Sequence, residues 1–239
     1  TALADLIANL QEIGLAQRVL FDSTDAAVIE AAASLHSTIF AGESSLLLDD
    51  LALAELVVDR ATRTELLRLA VWTADAVAAF PTTFESDVSS LDVTIDTPVG
   101  PVVLSGADDD AHELPDDEPV ALLIDFGGDD TYTGPVAANA GPEQPFSIVV
   151  DLGGADSYTY DAFVEPGDAL LADDGSGRAE AERGGDGAVS LSDVARQGAG
   201  RFGFGVLRDA GAGRDTFASL RLSQGYGMVG VGMLIDEAG

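Results

Sequence analysis

QGAGRFGFGVLRDAGAGRDTF, residues 197–217, decides how this chain is read. Gly198, Gly200 and Gly203 satisfy the G-x-G-x-x-G spacing of a dinucleotide-binding turn. Such a turn must open a helix, whose free N–H groups meet the phosphates, and here the chain continues as the strand-like GFGVLRD. The pattern also returns: QGYGMVGVGMLID at 224–236 repeats the Gln, four glycines, the Leu and the Asp at a constant offset of 27. A single cofactor site has no use for an echo, whereas a repeated structural rung requires one.

The same period runs outward along the chain. LLIDFGG at 122–128, IVVDLGG at 148–154, VLRDAGA at 206–212 and MLIDEAG at 233–239 align on Asp125, Asp151, Asp209 and Asp236, at intervals of 26, 58 and 27. The middle interval is two periods, or one period carrying an insertion. Short apolar strands separated by Gly/Asp turns at such a period predict a β-solenoid, in which each coil buries its apolar face by stacking on the next. The alternating glycines leave one face of a strand bare. Either the coil narrows there, or another chain or a flat ligand approaches.

Residues 1–85 carry a different period. ALADLIANLQEIGL places Leu3, Leu6, Ile7, Leu10 and Ile13 on one stripe with Gly14 as a candidate stop, and STDAAVIEAAASLHSTIF follows a Ser23/Thr24 cap. SSLLLDDLALAELVVDRA is a third helix. TRTELLRLAVWTADAVAAF is a fourth, with Thr62 and Glu65 in capping-box spacing, Trp72 and Phe80 as core candidates and Pro81 as its end. The expected fold class is therefore α+β: an N-terminal α-helical bundle, as a domain or cap, followed over 86–239 by a parallel β-helix (β-solenoid) with coils of about 27 residues. An acidic insertion falls at about 160–195.

Of 239 residues, 46% are hydrophobic, enough for a sizeable core. Forty-two acids face eleven cationic residues, all Arg, for a net charge of −31. That charge opposes binding to nucleic acid or to an anionic membrane. It calls for counter-ions, either a saline medium or divalent cations held by several carboxylates. The absence of cysteine removes disulfides, thiolate chemistry and cysteine metal sites. No apolar run approaches the about 18 residues of a membrane span. The chain opens at Thr1 without Met, which a removed secretory signal would explain.

The turns carry the chemistry. GGDDTY at 127–132, GGADSY at 153–158 and GAGRDTF at 211–217 share Gly-x-Asp-x-aromatic, setting Asp130, Asp156 and Asp215 two residues before Tyr132, Tyr158 and Phe217. SGADDDAH at 105–112 is a degenerate earlier copy. Stacked coils about 4.8 Å apart would bring the carboxylates of Asp125, Asp151 and Asp209 into like-charge range. Two outcomes are open: calcium bridges them, or each Asp bonds its own turn backbone and faces water. The candidate metal ligands are Asp125, Asp129, Asp130, Asp151, Asp156, Asp209, Asp215 and Asp236.

These turns resemble the G-G-x-G-x-D-x-U-x nonapeptide of the RTX calcium-binding β-roll proteins, most fully in AGAGRDTFA at 210–218. LLIDFGGDDTY and the QGxGxxGxGxLxD pattern are similar to Gly/Asp-rich repeat regions of large secreted bacterial proteins. The resemblance implies extracellular or cell-surface residence and bound calcium. ERGGDGAVSLSD at 182–193 resembles an EF-hand or dockerin loop, adding Asp186 and Asp193 as candidate ligands, although Gly184 stands where a side-chain oxygen is needed.

Catalytic signatures are sparse. His36 lies in an Ala-rich segment, His112 in an acidic loop, and no G-x-S-x-G is present. The expectation is a non-enzymatic, secreted or surface-displayed structural or adhesive protein stabilised by calcium. Its last coil is uncapped, so end-to-end self-association into a filament or sheath is open to it. The competing class is a carbohydrate-active enzyme, a polysaccharide lyase or glycosidase. It would use paired acids such as Asp129/Asp130 or Asp173/Asp174 with one of Arg201, Arg208 or Arg221 in a groove.

Overall fold

The structure, a computed structural model, describes residues 2–22, 24, 26–27, 29, 60–84, 88–114, 119–139, 141–159, 180–182, 188–190, 195–219 and 222–237. Helix α1 spans Ala2–Phe21 and buries Leu6, Leu10, Ile13, Gly14, Gln17 and Phe21, one stripe at three- and four-residue steps. Gly14 does not stop it. A Cβ there would lie 3.0–3.1 Å from Val99, Phe146 and Pro145, so the glycine lets the helix lie close against the strands. Helix α2 spans Arg60–Ala78. Thr62 and Glu65 therefore lie inside it rather than at its cap, and Glu65 instead pairs with Arg68 at 2.6 Å. The two central segments read as helices from the sequence lie, apart from residues 24, 26–27, 29 and 60–61, outside the described residues.

Fourteen strands follow among the described residues. Strands β1 (Asp92–Thr97) and β2 (Gly100–Ser105) form an antiparallel hairpin. From β2 onward the chain alternates between two sheets. Strands β4 (Leu122–Asp125), β6 (Phe146–Asp151), β11 (Phe204–Asp209) and β14 (Val231–Asp236) add to β2 in parallel, giving the order β1-β2-β4-β6-β11-β14. Short strands β3 (Ala111–Glu113), β5 (Thr131–Thr133), β7 (Ser157–Thr159) and β12 (Thr216–Phe217) build a second, wholly parallel sheet in the order β12-β7-β5-β3. Strands β8 (Glu180–Glu182) and β9 (Ala188–Ser190) pair as a hairpin, and β10 (Gly200–Arg201) pairs in parallel with β13 (Gly227–Met228).

The expectation of an N-terminal helical bundle followed by a parallel β-helix with coils of about 27 residues is corrected here. The described residues contain two helices and four sheets; the largest sheet is mixed, with an antiparallel edge strand. Successive parallel neighbours lie 20, 26, 58 and 27 residues apart, not at one period. The physical reason lies in what the helices cover. Leu6, Leu10 and Ile13 of α1 and Leu66, Leu69 and Val77 of α2 share one apolar cluster with Leu122, Ile124, Ile148, Val150 and Val206. A parallel sheet needs both faces buried. Helical stripes that would have closed a bundle on themselves are used to bury one face of it.

The opposite face carries Leu123, Val149 and Leu207, which pack with Tyr132 and Tyr158 of the second sheet. Each fully buried large apolar side chain contributes about 1.5–3 kcal/mol. Because β6 and β11 are direct, in-register neighbours, the 58-residue interval is one period with an insertion. The glycines of 197–217 prove to be positions of close backbone approach. A Cβ on Gly205 would strike the carbonyls of Ala199 and Ala137, and one on Gly232 those of Tyr226 and Gly198. No helix follows them, so the dinucleotide pattern is empty of its required context.

Candidate metal centre

Parallel, in-register pairing converts the sequence repeat into columns. Ser105, Asp125, Asp151, Asp209 and Asp236 end β2, β4, β6, β11 and β14 as one row. His112, Tyr132, Tyr158 and Phe217 form a second row across the short sheet. Their rings stack at centroid separations of 4.8, 4.7 and 4.8 Å. Offset stacking of this kind is favourable beyond the buried area alone.

Each ring reaches the row aspartate one rung further on. His112 Nε2 lies 2.6 Å from Asp125 Oδ2. Tyr132 donates its hydroxyl to Asp151 Oδ2 at 2.5 Å, and Tyr158 donates to Asp209 Oδ2 at 2.9 Å. Burial, reinforced by the neighbouring carboxylates, pushes both tyrosine hydroxyls far above their ordinary range, so they stay protonated donors. The other oxygen of each row aspartate closes its own turn. Asp125, Asp151 and Asp209 accept through Oδ1 from the N–H groups of Gly127, Gly153 and Gly211 at 3.0, 3.0 and 3.1 Å.

A third column comes from the Gly-x-Asp turns. Asp130, Asp156 and Asp215 accept through Oδ1 from the N–H groups of Asp110, Asp130 and Asp156, one rung back, at 2.5, 2.7 and 2.9 Å. Their Oδ2 atoms are buried and have no hydrogen-bond partner. The first rung shows what the others lack. There the row position is Ser105, whose hydroxyl donates to Asp110 Oδ2 at 2.7 Å. In the next three rungs the row residue is a second aspartate, which brings no hydroxyl, so carboxyl group faces carboxyl group.

This arrangement makes two all-aspartate groups that could hold a metal ion, Asp130/Asp151/Asp156 and Asp156/Asp209/Asp215, and a mixed group, Asp110/His112/Asp125. In each, the ligand atoms lie within 4.8 Å of one another. Asp125, Asp151 and Asp209 are 0% exposed, and Asp130 and Asp156 are 1% exposed. Burial, the largest influence, and neighbouring carboxylates push Asp151 up to about 8, Asp156 to about 7, and Asp130 and Asp209 to about 6. The hydrogen bonds from Tyr132, Tyr158 and the turn N–H groups oppose these shifts without reversing them. Near neutral pH the column therefore requires protons or cations. Burial disfavours the charged ring of His112, but its hydrogen bond to Asp125 and the charges of Asp125, Asp130 and Asp110 outweigh that and raise its pKa.

Of the remaining sequence candidates, Asp129 is exposed and accepts from Ala155 N–H at 2.9 Å, and Asp236 is exposed; neither belongs to a metal-competent group. Asp186 and Asp193 lie outside the described residues. Asp110 and His112 are members that sequence reasoning missed. Their signal was Asp-x-His in SGADDDAH, standing where the later rungs have Asp-x-Tyr. A cavity of about 370 Å³ opens beside them, lined in part by Ser105, Asp108, Asp110 and His112. Arg208, a candidate groove arginine, is 4% exposed and committed elsewhere. It donates to the carbonyls of Val77, in the last turn of α2, and Phe80, just past it, at 2.9 and 3.0 Å, and pairs with Glu237 at 2.9 Å. Among the described residues no helix is long and apolar enough to cross a membrane. Comparison with protein-family models, with curated proteins and with solved structures finds no match to this chain.

Proposed function

We propose that this is a secreted or cell-surface structural or adhesive protein whose inner aspartates hold calcium between stacked rungs. The observation that carries the reading is the unpartnered Oδ2 of Asp130, Asp156 and Asp215, each set in a group of three aspartates. Hard, oxygen-only ligands at this density suit a divalent alkaline-earth ion, and calcium tolerates irregular geometry better than magnesium. The net charge of −31 is in keeping with a cation-rich surrounding. The ring and aspartate columns supply order along the sheet rather than an open reaction centre, which favours architecture over chemistry.

Thermal unfolding at pH 7.5 in millimolar calcium and in chelator tests the proposal. Saturation to about 100 times Kd stabilises by about 2.7 kcal/mol, which raises the midpoint of a chain this size by about 5–10 °C. Equal midpoints in the two conditions refute it.

A further inference from the structure

We propose that the two all-aspartate groups are one binuclear calcium centre in which Asp156 bridges the ions. The inference rests on the calcium reading above and adds its stoichiometry and its coupling. Asp156 belongs to both groups. The first group joins Asp130 of one rung to Asp151 and Asp156 of the next; the second joins Asp156 to Asp209 and Asp215 of the rung after. Each ion therefore lies between adjacent rungs, and the two are separated by about the interstrand spacing of 4.8 Å. Asp156 can bridge that distance with its unpartnered Oδ2 toward one ion and, toward the other, the lone pair of Oδ1 that the Asp130 N–H leaves free.

Charge balance points the same way. Five carboxylates form the combined centre, so one divalent ion would leave three negative charges in a buried site, whereas two leave one. The unpartnered Oδ2 atoms occur at Asp130, Asp156 and Asp215, the first, shared and last members of the turn column. Asp130 and Asp156 are each 1% exposed, so bulk water does not solvate their carboxyl groups. The mixed group differs at its turn-column member: Ser105 donates to Asp110 Oδ2, the atom that has no donor in Asp130, Asp156 and Asp215. The count is two ions, not three.

The test uses the whole chain, stripped with chelator and titrated calorimetrically with Ca²⁺, and with Tb³⁺ excited through Tyr132 and Tyr158. Two equivalents are expected. Asp130→Asn and Asp215→Asn should each retain one, whereas Asp156→Asn should weaken both by about tenfold or more. A stoichiometry of one or three, or one undiminished ion in Asp156→Asn, overturns the bridge and leaves the calcium reading standing. No calcium uptake by the unsubstituted chain overturns both. Should Asp156→Asn not fold, mixed Tb³⁺/Eu³⁺ loading of the unsubstituted chain decides: near-complete energy transfer supports ions about 5 Å apart, and none overturns the bridge.

Discussion

Asp151 offers the sharpest check on the electrostatics of the column. It is fully buried, accepts hydrogen bonds from Tyr132 and Gly153, and is nonetheless pushed up to about 8 by burial and by the charges of Asp156 and Asp209. An unfolded aspartate titrates near 3.9, so the shift is about four units, or on the order of 5 kcal/mol at about 1.4 kcal/mol per unit. The sign follows from proton binding. The folded chain holds a proton over a pH range in which the unfolded chain has lost it, so stability falls as pH rises. The penalty is absent below about pH 4, grows through the window and is fully present above about pH 8. In chelator, urea unfolding at pH 5, 6, 7 and 8 should show the native chain losing up to about 1.4 kcal/mol per pH unit more than Asp151→Asn does. Comparing the two chains cancels the general self-repulsion of an acidic surface. Saturating calcium should flatten the difference, because a bound cation replaces the proton. Parallel pH profiles for the two chains in chelator, or a native chain that gains stability across the window, would refute the assignment of Asp151 as a buried, proton-holding acid.

Four further outcomes are expected. Tyr158→Phe leaves Asp209 Oδ2 without its buried donor and should cost about 1–3 kcal/mol in urea unfolding. The reverse change, Phe217→Tyr, places a hydroxyl toward Asp236 as Tyr158 stands toward Asp209, and because Asp236 is exposed the gain should be about 0.5 kcal/mol. Gly154→Ala adds a Cβ at φ +139 that collides with the Gly128 carbonyl, so a loss on the order of 3 kcal/mol, or of soluble protein, is expected. Arg208→Met strands the Val77 and Phe80 carbonyls and should lower the unfolding free energy by about 3 kcal/mol, read by calorimetry against the native chain.

Register was legible in the sequence because it is local. Asp125, Asp151, Asp209 and Asp236 align by eye, and parallel pairing puts them in one row because each ends the same apolar strand. That those aspartates would bond their own turns was also readable, but not that they would be buried beside a second aspartate column. One oxygen of each row aspartate closes its own turn, and the turn-column aspartates keep an oxygen facing the cluster. The role of His112 was hidden because one ring replaces another: histidine fills the place tyrosine holds in later rungs, and the match appears only when the short strands pair. What the helices pack against was misread for a different reason. A stripe such as Leu6, Leu10 and Ile13 shows that something apolar will cover it, but not whether that is a helix or a sheet. Gly14 read as an ending because its packing against Val99 and Phe146 spans more than eighty residues of chain.

The first rung shows that a neutral solution exists in this fold. Ser105 hands its hydroxyl to Asp110, and no carboxylate pair is buried there. The inner rungs keep aspartate at the equivalent place, although an uncompensated buried carboxylate pair costs several kcal/mol. Such a cost is coherent where a ligand removes it. On the calcium reading the inner rungs are weak where calcium is scarce and tighten where it reaches the millimolar range of extracellular calcium-binding modules. Folding strength would then follow the compartment, which fits a protein assembled in one medium and working in another. Asp151→Ser, which copies the first rung into the third, separates the two possibilities. If the carboxylates serve an ion, the variant should be the more stable chain in chelator and lose the part of its calcium response that the Asp130/Asp151/Asp156 group supplies. If they serve only the turn, it should be the less stable chain in both conditions.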